Sequence, residues 1–342
     1  MPIRRPAPLR PGDTVAVTSP SSGVTEDERA RLDVAVRVLE DRGLRVVVGD
    51  CMDGSRHVSA PAPERARELE TFLTDPHVRA VVPPWGGVGA IELLPLLDWD
   101  AIAAAEPTWF VGLSDTSTLL APMTLLTGVA TVHGNNLMDV PYDVPRGLVS
   151  WLDVATMPPG TTFEQVPPGR YRAHGGDDYV TDPGVRTMTL DTAGAWTRFD
   201  AGTDDVDVSG VLVGGCIDTL SNVVGTPYCD VRAFARQHAP GGLLVYVEAA
   251  DENAETVCDR LHGMRLAGFF DDAVAVLVGR TRAPRTAHLT QREAVVDALG
   301  GLGVPIVGDV ECGHVQPFMA IVNGALGRVR FDGASMSLTQ TV

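Results

Sequence analysis

The residue best suited to covalent chemistry is a serine placed between an apolar strand and a helix. Residues 109–120 read WFVGLSDTSTLL, so Ser114 follows Gly112 at the end of a predicted strand. A serine at such a turn projects its hydroxyl at the carboxyl edge of a sheet. The next backbone N–H and the positive end of the helix dipole can stabilise an oxyanion there. Ser114 is therefore a candidate nucleophile, and the amide of Asp115 is a candidate oxyanion donor.

Two other interpretations of Ser114 remain open. A serine before Asp-Thr-Ser commonly serves as the N-cap of a helix, and in that role it would have no catalytic function. An α/β-hydrolase esterase also places its serine at a turn of this kind. Its motif has a glycine two residues after the serine, where this chain has Thr116, and this difference weakens the esterase interpretation.

A glycine pair follows another predicted strand. Residues 82–90 read VPPWGGVGA, and paired glycines allow backbone N–H groups to approach a ligand closely. Gly86 or Gly87 could supply a second oxyanion donor, which contributes roughly 3 kcal/mol to a transition state. The alternative is a tight strand-to-helix turn without a ligand. The spacing does not fit the dinucleotide-binding pattern G-x-G-x-x-G.

A serine nucleophile needs a base, and the best-placed histidine is His314, in a turn after a predicted strand at 305–307. Glu248 ends the predicted strand 243–247, where a carboxylate could hold an imidazole in the correct tautomer. A structural histidine and a solvated strand-end carboxylate are the alternatives for these two residues. His133 follows an apolar strand, and five other histidines in polar or helical stretches are expected at the surface: His57, His77, His238, His262 and His288.

The elements that must position these residues alternate between apolar strands and amphipathic helices. Strands are predicted near 14–18, 44–48, 79–82, 109–111 and 130–132, and the helices between them include 63–73 and 91–97. The first helix begins at Thr25, with Glu28 completing a capping box. This alternation is typical of a parallel sheet covered on both faces. From about 144 to 207 the pattern gives way to Pro, Gly and charge, which predicts a linker or a covering loop.

Alternation resumes at 210–213, 243–247 and 274–278, and antiparallel strands are predicted from 319 to 341. We therefore predict two α/β domains with a boundary near residue 165. The 342 residues are enough for two domains of ordinary size.

The composition excludes several classes of function. The 27 basic residues are all arginine, and 44 acidic residues give a net charge of −17, so nucleic-acid and membrane-surface partners are not expected. Without lysine, Schiff-base and P-loop chemistry are excluded. Neither a signal peptide nor a membrane-spanning segment is predicted, which favours a cytoplasmic protein. Five scattered cysteines without C-x-x-C spacing favour reduced structural thiols over disulfides or a zinc site.

Six ordered segments together resemble the LD-carboxypeptidase family of serine peptidases. They are PWGG with IELLPLLDW (84–87 and 91–99), GLSD with TLL (112–115 and 118–120), TVHGNNLMD (131–139), GGCIDTL (214–220), LVYVE (244–248) and GHVQP (313–317). Together they cover nearly the whole chain. The PWGG and GGCIDTL segments are more similar to the microcin C immunity branch than to the murein tetrapeptide carboxypeptidases.

The resemblance implies a triad in which Ser114 is the nucleophile, His314 the general base and Glu248 the orienting acid. The implied oxyanion donors are the backbone amides of Gly86, Gly87 and Asp115. The implied fold is an N-terminal parallel-sheet domain (1–165), Rossmann-like and similar to class I glutamine amidotransferases, plus a C-terminal α/β domain (166–342). The site would lie at their interface under a covering loop at about 159–185. A homodimer without metal or cofactor is also implied.

The substrate implied by the resemblance is a small peptide-like or aminoacyl-nucleotide amide, with a murein tetrapeptide as the alternative. The implied substrate contacts are Trp85, Tyr171, Cys216 and Asp218. The immunity branch usually has Asn and then Leu-Glu where this chain has Cys216, Ile217 and Asp218. Arg170, Arg172 or Arg186 could bind a phosphate or carboxylate. A non-catalytic binding module on the same scaffold also remains open.

Overall fold

The computed structural model describes residues 3–200, 202, 204–333 and 335–342. Its strands, in chain order, are β1 (Thr14–Val17), β2 (Arg45–Val48), β3 (Val78–Val82), β4 (Trp109–Gly112), β5 (Thr131–His133), β6 (Thr162–Gln165), β7 (Arg170–Tyr171), β8 (Thr192–Ala193), β9 (Thr197–Arg198), β10 (Val206–Cys216), β11 (Leu243–Glu248), β12 (Ala273–Gly279), β13 (Ile306–Val310), β14 (Ile321–Asn323), β15 (Leu326–Phe331) and β16 (Met336–Thr341).

The α-helices are α1 (Arg29–Asp41), α2 (Ala62–Thr74), α3 (Trp99–Ala104), α4 (Ser117–Thr127), α5 (Trp151–Thr156), α6 (Ile217–Leu220), α7 (Val231–His238), α8 (Ala254–Leu266) and α9 (Gln291–Leu299). Short 3-10 helices lie at Glu26–Glu28, Ala90–Leu93, Ser114–Thr116, Leu137–Asp139 and Gly300–Leu302.

The first sheet has the strand order β14-β5-β4-β3-β1-β2. The strands from β5 to β2 pair in parallel, and β14 pairs antiparallel with β5. Every residue of β4 is buried, as expected for a parallel strand covered on both faces. The adjacent carboxyl ends of β3 and β4 lead directly into the turns that contain Gly86 and Ser114.

The second sheet has the order β6-β16-β15-β10-β11-β12-β13-β9. Its centre, from β10 to β13, is parallel, and antiparallel strands flank it on both sides. Every residue of β11 is buried, including its last residue, Glu248. In the parallel pairing Glu248 lies opposite Cys216, so both residues lie at the carboxyl edge of this sheet.

The chain joins the two sheets immediately after β13. The turn that contains His314 leads from β13 in the second sheet to β14 in the first. Residues near the C-terminus therefore complete the N-terminal sheet, while β6 joins the second sheet through β16. The mixed α/β architecture predicted from the sequence is confirmed, and the boundary near residue 165 remains a prediction.

Some local predictions were wrong. The helix expected at 91–97 is only the 3-10 helix Ala90–Leu93 followed by turns, because Pro95 has no N–H to continue a helical ladder. The span expected to be irregular contains α5, whose N-cap Ser150 accepts a hydrogen bond from the backbone of Asp153 at 3.0 Å. Helix α7 was not predicted at all.

The cysteine and membrane predictions can also be compared with the structure. All five cysteines are free thiols, and Cys258 is the one that is not buried. No helix in the described ranges combines the length and the apolar character that crossing a membrane requires.

Candidate active site

Ser114 lies in a strained turn and does not cap a helix. Its φ is +67°, in the left-handed region that side chains other than glycine rarely adopt. The N-cap of the 3-10 helix is Leu113, and that of α4 is Thr116, neither with a side-chain capping bond. A serine held in a strained strand-to-helix turn is the arrangement of a nucleophile elbow, so this geometry opposes the capping interpretation.

The Gly86–Gly87 turn lies directly beside Ser114. A Cβ added to Gly86 would lie 2.7 Å from Ser114 Cβ and 3.1 Å from the amide nitrogen of Asp115. Gly87 has a φ of +111°, and a Cβ there would lie 2.1 Å from Ser22 Oγ. Only glycine allows this close approach. The structure thus brings together the three residues predicted for the oxyanion hole.

The side chain of Asp115 fixes the turn to its neighbours. Its Oδ2 accepts hydrogen bonds from Ser21 Oγ at 2.7 Å and from the backbone N–H of Ala90 at 2.8 Å. Burial raises the pKa of this carboxyl group, although both hydrogen bonds act in the opposite direction. These bonds connect the Ser114 turn to the loops after β1 and β3, which restricts the backbone amides around the serine.

Glu248 and the partly exposed His314 form a hydrogen-bonded pair at the edge of the second sheet. His314 Nδ1 lies 2.8 Å from Glu248 Oε2, and Glu248 is completely buried. Glycines make room for the carboxylate: a Cβ on Gly279 would lie 2.5 Å from Glu248 Cβ, and one on Gly313 would lie 3.1 Å from Oε2. Because Nδ1 is engaged by the carboxylate, Nε2 is the ring nitrogen left for proton transfer.

The pKa shifts of this pair have opposite directions. Burial alone would raise the pKa of Glu248, but the charge and hydrogen bond of His314 outweigh burial and lower it. Burial alone would lower the pKa of His314, but the Glu248 carboxylate outweighs burial and raises it. The ionised pair is therefore favoured, which suits the general-base role predicted for His314.

Polar contacts hold the two halves of the site against each other. Thr219 Oγ1 donates to the carbonyl oxygen of Ser114 at 3.4 Å, and the backbone N–H of Cys216 donates to Ser117 Oγ at 3.1 Å. Among the hydrogen bonds of the described residues, none joins Ser114 Oγ to His314. Such bonds are often long before substrate binds. Since Ser114 follows β4 of the first sheet and His314 follows β13 of the second, the arrangement differs from the single sheet of an α/β-hydrolase.

The residues expected to contact substrate have different environments. Trp85 stacks on Tyr179 with ring centroids 5.7 Å apart, and its Nε1 is buried without a partner among the described residues. Tyr171 instead packs under the guanidinium of Arg280, 4.2 Å from the ring centroid. Tyr179 is therefore the covering-segment aromatic next to the glycine turn.

On the other side of the site, Cys216 is fully buried, and Asp218 Oδ1 is buried without a partner in the part of the chain that the structure describes. Asp218 Oδ2 accepts from the backbone N–H of Asp251 at 2.9 Å. The three arginines considered for anion binding all have protein partners. Arg172 pairs with Asp177 at 2.6 Å, Arg186 with Asp143 at 2.9 Å, and Arg170 donates to two backbone carbonyls.

Comparison with known proteins identifies the family. Residues 15–134 match the LD-carboxypeptidase N-terminal domain, and residues 209–329 match the LD-carboxypeptidase C-terminal domain. A putative carboxypeptidase of Streptomyces coelicolor is 30% identical over 98% of this chain and 96% of its own length. The chain belongs to the LD-carboxypeptidase family.

Other family members are similar over most of their length. The microcin C7 self-immunity protein MccF of Escherichia coli is 25% identical over 98% of this chain and 95% of its own. A probable murein peptide carboxypeptidase of Bacillus subtilis is 26% identical over 94% and 90%. The fold matches that of MccF in complex with aspartyl sulfamoyl adenosine, with a TM-score of 0.82 at 23% identity over 98% of each chain.

The sequence did not predict how the covering segment is attached in this member of the LD-carboxypeptidase family. Tyr179 donates to Asp139 Oδ1 at 2.9 Å and accepts from Tyr142 at 3.1 Å, and the Arg31 guanidinium lies 4.6 Å from the Tyr179 ring centroid. Burial raises the pKa of Asp139 to about 6. Asp139 ends the TVHGNNLMD segment, so one of these residues lies in a segment that carried the family resemblance. No feature of the sequence indicated a role for Arg31, which lies on α1.

The donor atoms of Cys216, Glu248 and His314 lie within 4.8 Å of one another, a distance that would suit a metal ion. However, Glu248 and His314 already bond to each other, and Cys216 and Glu248 are completely buried. An ion at this site would have to displace the hydrogen bond that orients the histidine. The arrangement suits a triad better than a metal centre.

Proposed function

We propose that this chain is a serine amidase that cleaves a peptide-like amide with Ser114 as nucleophile, His314 as general base and Glu248 as the residue that positions the imidazole. The observation that carries the proposal is the strained Ser114 turn, which lies beside Gly86 and across the sheet interface from the Glu248–His314 pair. Hydrolysis needs these groups and one water molecule.

In the first half-reaction, Ser114 Oγ attacks the carbonyl carbon and His314 Nε2 takes the hydroxyl proton. The oxyanion is stabilised by the backbone amides of Asp115 and the glycine turn. The C–N bond then breaks, and the imidazolium gives its proton to the leaving nitrogen. In the second half-reaction, His314 removes a proton from water, water attacks the acyl group, and the proton returns to Ser114.

The substrate we propose is an aminoacyl-nucleotide amide of the microcin type. The similarity to MccF over nearly the whole chain supports it, and the Trp85–Tyr179 stack provides aromatic surface beside the glycine turn. The unpaired Oδ1 of Asp218 could accept a hydrogen bond from the amino group of an aminoacyl substrate. We retain Cys216 and Tyr171 as further proposed contacts. The relative named a probable murein peptide carboxypeptidase favours a murein tetrapeptide as the second candidate.

A fluorophosphonate probe tests the reaction class without knowledge of the substrate. The parent protein should be labelled at Ser114, and Ser114→Ala should not be labelled. Ser209→Ala is the matched control, because Ser209 is an exposed serine on β10. Equal labelling of the parent and Ser114→Ala would overturn the proposed nucleophile.

Separate incubations distinguish the two substrates. An aspartyl-adenylate amide analogue and a murein tetrapeptide would each be mixed with the parent protein and with Ser114→Ala, and the products identified by mass. Cleavage of the first alone supports the microcin-type assignment. Cleavage of the tetrapeptide alone would replace it with the LD-carboxypeptidase activity.

We further propose that the protein is a cytoplasmic homodimer with domains at 1–165 and 166–342, as its family resemblance implies. Light scattering coupled to size exclusion would measure the mass, and a mass near that of one 36.2 kDa chain would contradict the dimer. Fractionation of the source cells would test the location. Limited proteolysis would test whether cleavage concentrates near residue 165.

A further inference from the structure

A second group of chemically reactive side chains lies outside the proposed active site, where α8 packs against α9. Cys258 and His262 are on α8, and Asp297 is on α9. His262 Nε2 lies 2.8 Å from Asp297 Oδ1, and Cys258 Sγ lies 3.7 Å from the same oxygen. All three donor atoms lie within 4.8 Å of one another.

The spacing and the residue types suit a thiophilic divalent cation. Cys258 and His262 are four residues apart, so their side chains lie on the same face of α8. Thiolate, imidazole and carboxylate are the ligands that Zn²⁺ prefers, at about 2.0–2.3 Å. Tetrahedral donors at those lengths lie roughly 3.3–3.8 Å apart. The 3.7 Å separation of Cys258 Sγ and Asp297 Oδ1 lies in that range. The 2.8 Å separation of His262 Nε2 and Asp297 Oδ1 would have to open by about 0.5 Å for the three side chains to fill three of four positions.

The surroundings also favour a cation. Asp297 Oδ1 lies 3.7 Å from Cys258 Sγ, and Asp259 is the next residue in the chain, so negative charge lies close to the thiol. A divalent ion bound here would stabilise the thiolate. The two arginines of this helix have other partners: Arg265 donates to the carbonyl oxygen of Ala298 at 2.8 Å, and Arg260 pairs with Glu252 at 2.6 Å. Cys258 is also the one cysteine that is not buried, so an ion could reach it.

We propose that Cys258, His262 and Asp297 form a surface site for Zn²⁺ that connects α8 to α9, with water as the fourth ligand. Binding transfers the thiol proton to solvent and forms a zinc–thiolate bond. The site is separate from the Ser114 chemistry, so its existence does not depend on the proposed function. The sequence predicted structural thiols and not a zinc site. Residue spacing could not indicate this site, because the third ligand, Asp297, is distant from Cys258 and His262 in the chain.

Co²⁺ titration of the chelator-treated full-length protein tests the site directly. A 1:1 complex with a thiolate-to-cobalt charge-transfer band is expected, and excess Zn²⁺ should abolish that band. Cys258→Ser should remove the band, and His262→Gln should weaken Zn²⁺ binding at least about tenfold, as loss of a ligand or its support does. His314→Gln is the matched control, because it removes a donor from the other Cys/His/carboxylate cluster among the described residues.

A second measurement needs no variant. Saturating Zn²⁺ should protect Cys258 of the parent protein from alkylation, which peptide mass spectrometry would measure. It should also raise the Tm, because an ion that binds only the folded state stabilises it. Absence of the cobalt band together with unprotected Cys258 would overturn the proposal. Binding that is lost in His314→Gln and retained in Cys258→Ser would assign the metal to the active site instead.

Discussion

Replacement of Glu248 by glutamine tests whether the carboxylate orients and stabilises His314. The substitution keeps the size of the side chain, removes its charge and replaces one acceptor oxygen by an NH₂ donor. The carboxylate is completely buried, and its Oε2 lies 2.8 Å from His314 Nδ1. A unit charge about 4 Å from the imidazolium contributes about 4 kcal/mol at an effective dielectric constant of 20. At about 1.4 kcal/mol per factor of ten, that is a loss of about 10³-fold in rate.

Loss of the correct tautomer adds to this effect, because an amide can donate as well as accept a hydrogen bond. Charge-neutral replacement of a triad acid typically costs about 10⁴-fold in kcat. We therefore expect a loss of 10³- to 10⁴-fold, with folding retained. The rate of fluorophosphonate labelling at Ser114 measures this loss without a known substrate, and hydrolysis of the aspartyl-adenylate amide analogue gives kcat.

Glu106→Gln is the control for the change of net charge, since Glu106 is exposed and lies far along the chain from the pair. Circular dichroism and the Tm would establish that each variant is folded. A folded Glu248→Gln protein that labels within about tenfold of the parent would refute the role of Glu248, because the charge contribution alone should cost about 10³-fold.

Three further predictions address the rest of the site. Because the pKa of His314 is raised and its neutral form is the base, kcat/KM should rise with pH through an apparent pKa above the ordinary value of about 6.5; a midpoint at or below that value contradicts this. Gly86→Ala should slow labelling of Ser114 by about 10²-fold or more, since the added Cβ would displace the Gly86–Gly87 turn that is proposed to donate to the oxyanion. An unchanged labelling rate would contradict that role of the turn. Tyr179→Phe removes the hydrogen bond to Asp139, which is worth about 1–3 kcal/mol, and should speed proteolysis of the covering segment. Unchanged cleavage would contradict the role of this bond in attaching the segment.

Features encoded within a few residues could be predicted from the sequence. The Thr25 and Glu28 capping box is present, although the first turn it begins is a 3-10 helix. The strand-to-helix turn at Ser114 was located by the change from apolar to polar residues after β4. Its left-handed backbone could not be predicted, because nothing in the local sequence requires a serine there to adopt positive φ. The turn packs against Gly86, which is distant in the chain and where an added Cβ would lie 2.7 Å from Ser114 Cβ.

Contacts between distant segments could not be predicted from spacing. Glu248 and His314 are 66 residues apart; their positions at strand ends made each a candidate, and the family resemblance implied that they act together. The same limit applied to His262 and Asp297, which are 35 residues apart. Tyr171 was expected to contact substrate, yet Tyr179 stacks on Trp85, because the path of a segment rich in Pro and Gly depends on the surface that it covers.

The division of the site between two sheets determines how its geometry is maintained. The His314 turn is fixed at one end by β13 in the second sheet and at the other by β14 in the first. Ser114 is also attached to both sheets. It follows β4 in the first sheet, and its carbonyl oxygen accepts a hydrogen bond from Thr219, which lies beside the second sheet. Each of the two proposed catalytic residues thus has attachments to both sheets. Any shift of one sheet against the other must strain both turns, so the Ser114–His314 separation depends on the packing of the whole interface.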